Sequence, residues 1–518
     1  MNQDHFLINQ IINNGQCFNK QLQAQERIPE YPLDEDIINN YLSKILLLLR
    51  EGDEEYEIFN QIDLIKRLWQ KVIEKSIKCL RHFDQREPFQ SIPNKHPIAY
   101  GVTELSEYFD KYSAFESMLY GSGKYYRDHV IHVIRVWLLG LNCLLKENFE
   151  FLEKIEIGNG FEIKNLEKLS IWSIIALTHD LGYPLEKAQS IIDKTKDMMK
   201  SFIANPAISM DLSFNGVQNN MNDFVVRFIS SKMRPEKVNY EKAAQNGTKT
   251  ELEKATQNKF YKARLQPKYY FKFQKSLEKS QHGILSAIII YKLLLYFLES
   301  DYNINEDYTF DEEEARQFYI RREILRPMSA HTCKDIYHLE MLSFAFLLII
   351  VDDVQEWGRK RLSELYVKSN IQSVSSGISF DFETKGKNID GKEIYICNIN
   401  EDFCLHGTDK ELYASILVQS LASQYDRYNE IFRDGQDTGR RNFTLNKYSK
   451  FSDENFNYVI NYVILYDKES EFTIEISKRD GGKINTNVIP KFLSNDIGAH
   501  SLTTEARNDN KSYIFTIK

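Results

Sequence analysis

The stretch LEKLSIWSIIALTHDLGYP, residues 166–184, decides how this chain is read. Its body is apolar with the recurrence of a buried helix, and it ends on the adjacent pair His179-Asp180. Gly182 and Pro184 follow as stop signals. Two cation-binding side chains at the end of an apolar helix place chemistry at that end.

Working outward, other helical patterns carry residues of the same kind. YYRDHVIHVIRVWLLGLNCLLKENF, residues 125–149, puts His129 in mid-helix, with His132 one turn on. His282 opens the apolar run HGILSAIIIYKLLLYFLES at 282–300, and His331 opens HTCKDIYHLEMLSFAFLLIIVDDVQEWGRKR at 331–361, where Asp352 sits in an apolar helix. A cation that activates water needs neutral imidazoles and carboxylates converging from several elements, with positions left open for water and substrate. His129, His179, Asp180, His282, His331 and Asp352 form such a set in chain order. A carboxylate buried in an apolar helix without compensation is costly, which favours a cation over simple packing. Asp352 is preferred to Asp353 because it falls within the apolar run, three residues before Gln355.

This ordered pattern resembles the HD superfamily of metal-dependent phosphohydrolases, whose core is H, then HD, then D on successive helices. The likeness covers roughly residues 100–365. It rests on His129 with Val133 four residues on, on LTHDLGYP and on LLIIVDDVQEW. Some HD proteins, including the nuclease domains of CRISPR helicases and certain cyclic-nucleotide phosphodiesterases, add histidines that complete a second metal site. His282 and His331 resemble those additions, although no His-His pair stands near His331 and His338 lies about two helical turns away. Gly182-Tyr183-Pro184 differs from the GYP of HD-GYP phosphodiesterases, which lies well downstream of HD. The resemblance implies an enzyme cleaving a phosphoester or phosphoanhydride bond, with one or two divalent ions (Mn, Fe, Mg, Ni or Zn). Candidate catalytic residues are Asp180, Lys187 just beyond the pair, and Arg359, which shares the helical face of Asp352 and suits a phosphate. His132 and Arg359 are the candidate substrate contacts, with His132 also able to serve as a ligand.

The expected fold is mainly α. A helical N-terminal region occupies residues 1–99, with patterns at 34–52 and 56–83. An HD-type catalytic domain covers 100–368, and the alternating strands beyond it, with one amphipathic helix at 409–433, make a small α+β accessory domain at 369–518. Within the catalytic domain lies a basic insertion at 232–279, with thirteen Lys or Arg against five Glu and aromatics interleaved in KFYKARLQPKYYFKFQK. It reads either as a solvated loop or as a wall that guides an anionic substrate by charge and stacking.

The whole chain has 518 residues, enough for more than one core, and a net charge of −8 from 66 Lys+Arg and 74 Asp+Glu. That balance argues against a protein that coats nucleic acid. Six scattered cysteines without a CxxC pair fit a reducing compartment, and no run is long enough to span a bilayer. A cytoplasmic enzyme acting on a phosphorylated small molecule or nucleotide is expected. A single-strand nuclease, or a non-catalytic module that senses a nucleotide, are the alternatives.

Overall fold

The computed structural model describes residues 3–22, 28–49, 61–84, 101–122, 129–146, 149–158, 160–201, 217–236, 260–298, 308–355, 372–406, 410–432, 439–467, 470–493 and 502–517. Arg359 and residues 237–259 of the basic insertion lie outside them. The main helices are α1 (Gln3–Leu22), α2 (Ile62–His82), α3 (Val102–Ser122), α4 (Val130–Leu144), α5 (Asn165–Thr178), α6 (Tyr183–Met199), α7 (Val217–Ser230), α8 (Pro267–Glu278), α9 (His282–Leu293), α10 (Glu312–Ala330), α11 (Phe344–Val354) and α12 (Lys410–Phe432). Strands β1 (Ser231–Glu236) and β2 (Phe260–Leu265) form an antiparallel pair. A second sheet contains β3 (Gln372–Lys387), β4 (Glu393–His406), β5 (Phe443–Ser452), β6 (Tyr458–Tyr466), β7 (Ser470–Lys478), β8 (Leu502–Arg507) and β9 (Ser512–Ile517). Among the described residues no helix is long and apolar enough to cross a membrane.

The chain is mainly helical, and α4 and α5 lie at its centre. Every residue of α4 except Asn142 is buried, and every residue of α5 except Asn165. A helix apolar all round must be enclosed by others, and α1, α2, α10 and α11 surround this pair. α2 presents Ile65, Leu68, Trp69, Val72 and Ile73 at helical spacing, and its Trp69 Nε1 donates to the Leu177 carbonyl at 2.8 Å. That carbonyl is among those the end of α5 leaves unpaired. α1 is held to α4 by a buried ion pair, Arg135 Nη2 to Asp4 Oδ2 at 2.6 Å. The sequence patterns at 34–83 did not reveal α1, whose Gln- and Asn-rich face hides its apolar stripe.

Three helical expectations end differently. Residues 331–343 are irregular rather than helical, because Ser343 caps α11, its Oγ accepting from the Phe346 amide at 3.3 Å. The apolar run from His282 breaks at Leu294, and a short helix, Leu295–Leu298, follows. His129 precedes α4 and caps its start instead of lying in mid-helix.

The second sheet has the order β3-β4-β5-β6-β7-β9-β8, antiparallel except between β4 and β5. A parallel step needs a crossover, and α12 supplies it. Its buried face, including Leu417, Val418, Leu421 and Tyr425, packs on the sheet. The sheet also joins the helical body: the Phe346 ring of α11 meets Phe432 of α12 at 5.4 Å and Phe443 of β5 at 4.7 Å. The N-terminal, central and C-terminal stretches therefore share one apolar core.

Candidate metal centre

Helix ends deliver most of the site. His179 caps the end of α5 and Asp180 follows it, Tyr183 and Glu186 lie in the first turn of α6, and His282 begins α9. His331 caps the end of α10, while Asp352 sits on the last turn of α11 and His132 on the first turn of α4. Two close approaches make this convergence possible. A Cβ on Gly182 would lie 2.4 Å from the His282 carbonyl oxygen, and one on Gly283 would lie 2.4 Å from that of Met328. Only glycine lets α6, α9 and α10 meet so closely.

Four imidazoles adopt one orientation. His179 Nδ1 donates to the Ala176 carbonyl at 2.8 Å and His331 Nδ1 to the Met328 carbonyl at 2.6 Å. His282 Nδ1 donates to Glu186 Oε2 at 2.7 Å, and His132 Nδ1 to Gln355 Oε1. Each Nε2 is left facing inward, toward two carboxylates. Asp352 Oδ1 lies 3.0 Å from His132 Nε2 and 3.8 Å from His179 Nε2. Asp180 Oδ2 lies 3.6 Å from His132 Nε2 and 3.5 Å from His179 Nε2. The other oxygen of Asp180, Oδ1, lies 3.2 Å from His282 Nε2 and 3.7 Å from His331 Nε2.

This geometry fits divalent cations. His179 Nε2 is buried and lacks a hydrogen-bond partner, and His282 and His331 face each other through Nε2 atoms 3.2 Å apart. An outward Nδ1–H held by a carbonyl, carboxylate or amide oxygen is how protein histidines are set for a metal on Nε2. The atoms of His132, His179 and Asp352 lie within 4.8 Å of one another, as do those of His179, Asp180 and His331. Nitrogen and oxygen donors of this kind suit borderline and hard ions. His282 and His331, far apart in the sequence, are brought side by side from α9 and α10.

The charges answer to this crowding. Burial would raise the carboxyls of Asp180 and Asp352, but the facing histidines outweigh it and hold both well below the usual range. For Glu186 the bonds from His282 likewise overcome burial and bring it to about 2. Burial would lower His282, yet Asp180 and Glu186 raise it to about 9, whereas burial dominates at His331 and pushes it to about 4. His179 is raised, since Asp180 and Asp352 outweigh its burial.

No protein-family model, curated protein or solved structure matches the chain. The chemistry of the centre therefore rests on its own residues. It opens into a pocket of about 480 Å³ whose lining includes His129, Tyr183, Glu186, Lys334, Asp353 and Arg427.

The structure brings together His179, Asp180, His282, His331 and Asp352 of the expected ligands. It sets His132, expected mainly as a substrate contact, within the cluster; His129 and His282 belong to neither three-residue group, but His282 Nε2 lies 3.2 Å from both Asp180 Oδ1 and His331 Nε2, which places it in the site. The His129 ring stacks on Tyr183 at 3.9 Å on the pocket wall. The reason is the helix start: α4 begins at Val130, so His132 occupies its first turn and reaches between α5 and α11. Lys187 lies over the Tyr183 ring at 4.7 Å and beside Glu186 at 3.6 Å, and is not among the residues lining the pocket. His338, half-buried at 331–343, is not part of the cluster either.

Three contributors went unrecognised in the sequence. Glu186 follows Asp180 by six residues, and its acidic place in a helix first turn is a common, uninformative feature. Gln355 lies just past α11. Arg427 comes from α12 of the C-terminal sheet unit: it pairs with Asp353, donates to the His331 carbonyl at 3.1 Å and lies 3.8 Å from Asp352 Oδ2. Its distance along the chain hides it.

Proposed function

We propose that the chain is an HD-type, divalent-metal-dependent phosphohydrolase that cleaves a phosphoester or phosphoanhydride bond of a nucleotide or nucleic-acid substrate. The observation that carries this reading is the set of four imidazoles, each tied outward at Nδ1 and presenting Nε2 to Asp180 and Asp352. His132, His179, Asp180 Oδ2 and Asp352 would hold one ion, and Asp180 Oδ1, His282 and His331 a second. Bound ions of this type polarise phosphoryl oxygens and lower the pKa of water to near neutrality.

The chain's own groups have separable parts in such a reaction. Asp180 serves both sets, one oxygen to each. Gln355 and Glu186 fix the tautomers of His132 and His282, so that Nε2 stays free of a proton. Removing such a support in metal sites costs about 10–100-fold in metal affinity or activity. Arg427 ties Asp352, Asp353 and the His331 backbone into one arrangement. Among the described residues, Lys334 and Arg427 line the pocket wall as cations that can meet a phosphate.

The test is metal analysis of the purified protein together with hydrolysis of bis(4-nitrophenyl) phosphate in added manganese. His179→Ala/Asp180→Ala should abolish both bound metal and turnover while the helical circular dichroism persists. His132→Ala should lose metal, and His129→Ala should keep it. Full turnover in the double variant would sink the assignment.

A further inference from the structure

The basic insertion contains a feature that composition alone left open. On α8, Lys268, Lys272, Lys275 and Lys279 at its C-cap follow one another by four, three and four residues, so they lie on one face of the helix. Eleven residues at helical rise make a row about 16 Å long. Phe273, turned away from the row, is in the core. Lys268, Lys275 and Lys279 are exposed. Phe271, beside the row, is 69% exposed, an unusual position for a phenylalanine with a core close at hand.

The row does not stand apart from the metal centre. Lys272, Lys275, Lys279 and Lys334 line a cleft of about 210 Å³, and Gln281 and Lys334 line both this cleft and the metal pocket. His282 follows Lys279 by only three residues. Two carboxylates moderate the charge: Asp335 pairs with Lys275 at 2.9 Å and Glu430 with Lys334 at 3.3 Å. The five lysines still outnumber them. Tyr337 lies under Lys268 and Lys272, at 4.4 and 4.6 Å from its ring centre, which holds both ammonium groups on this side. A mononucleotide filling the metal pocket would not reach along such a row.

We infer that the α8 face is a binding track for single-stranded nucleic acid, leading its phosphodiester backbone past Lys334 into the metal pocket. The inference rests on the phosphohydrolase reading above and specifies its substrate. Ammonium groups spaced along a groove track a phosphate backbone, and an exposed aromatic ring beside them offers a base a stacking surface without regard to sequence.

Binding is measured without turnover, by fluorescence anisotropy of a labelled single-stranded oligonucleotide in chelator across a series of salt concentrations. The expected result is single-strand binding tighter than that of the matching duplex. Lys275→Glu/Lys279→Glu should weaken it at least about ten-fold and flatten its salt dependence by roughly 0.7 in log–log slope for each phosphate that is no longer neutralised. Lys275→Arg/Lys279→Arg should retain it, and Phe271→Ala should weaken it about five-fold or more. Thermal unfolding checks that each variant is folded, and Lys279→Gln, which leaves the Lys275–Asp335 pair in place, should still weaken binding if the double reversal does not fold.

Failure to bind, binding indifferent to these charges, or preference for the duplex would overturn the track. Displacement by inorganic polyphosphate with no effect of Phe271→Ala would overturn the nucleic-acid assignment. Hydrolysis of the small diester by the unaltered protein is read separately, so its absence would count against the phosphohydrolase reading while lysine-dependent binding would still support the track.

Discussion

Asp180 stands between two pairs of imidazoles, with Oδ2 toward His132 and His179 and Oδ1 toward His282 and His331. With every Nδ1 donating outward, the facing Nε2 atoms of His282 and His331 have no proton between them unless one ring is charged. In metal-free protein that ring is His282, held at about 9 by Asp180 and Glu186 against its burial, while His331 is pushed to about 4. A histidine raised above its ordinary value of 6.5 adds stability that is full below 6.5 and is lost as pH rises through about 9. Glu186 is lowered from 4.5 to about 2, so its contribution is full above 4.5 and is lost as pH falls through about 2. In chelator, thermal stability should therefore fall from pH 6.5 toward 9, and in Glu186→Gln this fall should be smaller and end at lower pH because His282 loses one of its two carboxylates. An unchanged profile in the variant would show that Glu186 does not hold the His282 proton. At this scale the sequence named five of the residues that the structure brings together, His179, Asp180, His282, His331 and Asp352. His129 and His132 are three apart, so which of them enters the cluster depends on where α4 begins, and His129 at the N-cap position makes no side-chain cap bond that would announce that start.

Helix ends and close contacts decide the rest of the site. α9 approaches α10 at Gly283, where an added Cβ would lie 2.4 Å from the Met328 carbonyl oxygen and 3.0 Å from His331 Cε1. The first obstacle is backbone and cannot swing aside, so one methyl group must separate the two helices that carry His282 and His331. Gly283→Ala should cost about 1–3 kcal/mol of stability, as overpacking does. It should also lower the number of ions held per chain, because the set of Asp180, His282 and His331 is disrupted, while His132, His179 and Asp352 belong to other helices. Chemical unfolding and metal titration read the two effects, and an unchanged metal capacity and affinity would show that α9 can shift without disturbing the candidate site. The apolar periodicity of 166–178, 282–293 and 344–354 made these helices readable. Their ends were not, since Ser343 ends the irregular stretch after His331 through a cap bond that composition alone does not announce. Glu186 and Arg427 were hidden for a related reason: each meets its partner across more than seventy residues of chain, and no local pattern encodes that meeting.

The whole molecule does not divide where composition changes. The shift in texture near residue 369 marks a change from helix to strand, yet α12 from that region sends Arg427 to the candidate metal site, and the sheet shares apolar contacts with α11. The N-terminal stretch is as closely joined, because α1 carries Asp4 to Arg135, on the helix that holds His132. Both side chains are about 1% exposed, and Arg135 also donates through Nε to Asp4 Oδ1 at 2.9 Å, which makes the pair bidentate. An aspartate in a polar stretch such as NQDHF looks dispensable in sequence; buried against an arginine it is not. Breaking one partner of a buried pair costs about 3–5 kcal/mol because the other charge stays in the core, whereas replacing both with apolar groups of similar volume is near neutral. Asp4→Ala should accordingly lower unfolding stability by about 3–5 kcal/mol, and Asp4→Leu/Arg135→Met should recover most of it. Because α1 packs on α4, the single variant should also weaken metal binding at His132 without touching a ligand. Denaturant unfolding with parallel metal analysis distinguishes the outcomes: a loss below about 1 kcal/mol for Asp4→Ala, the size expected of an exposed pair, would mean that α1 is not part of the brace behind the centre.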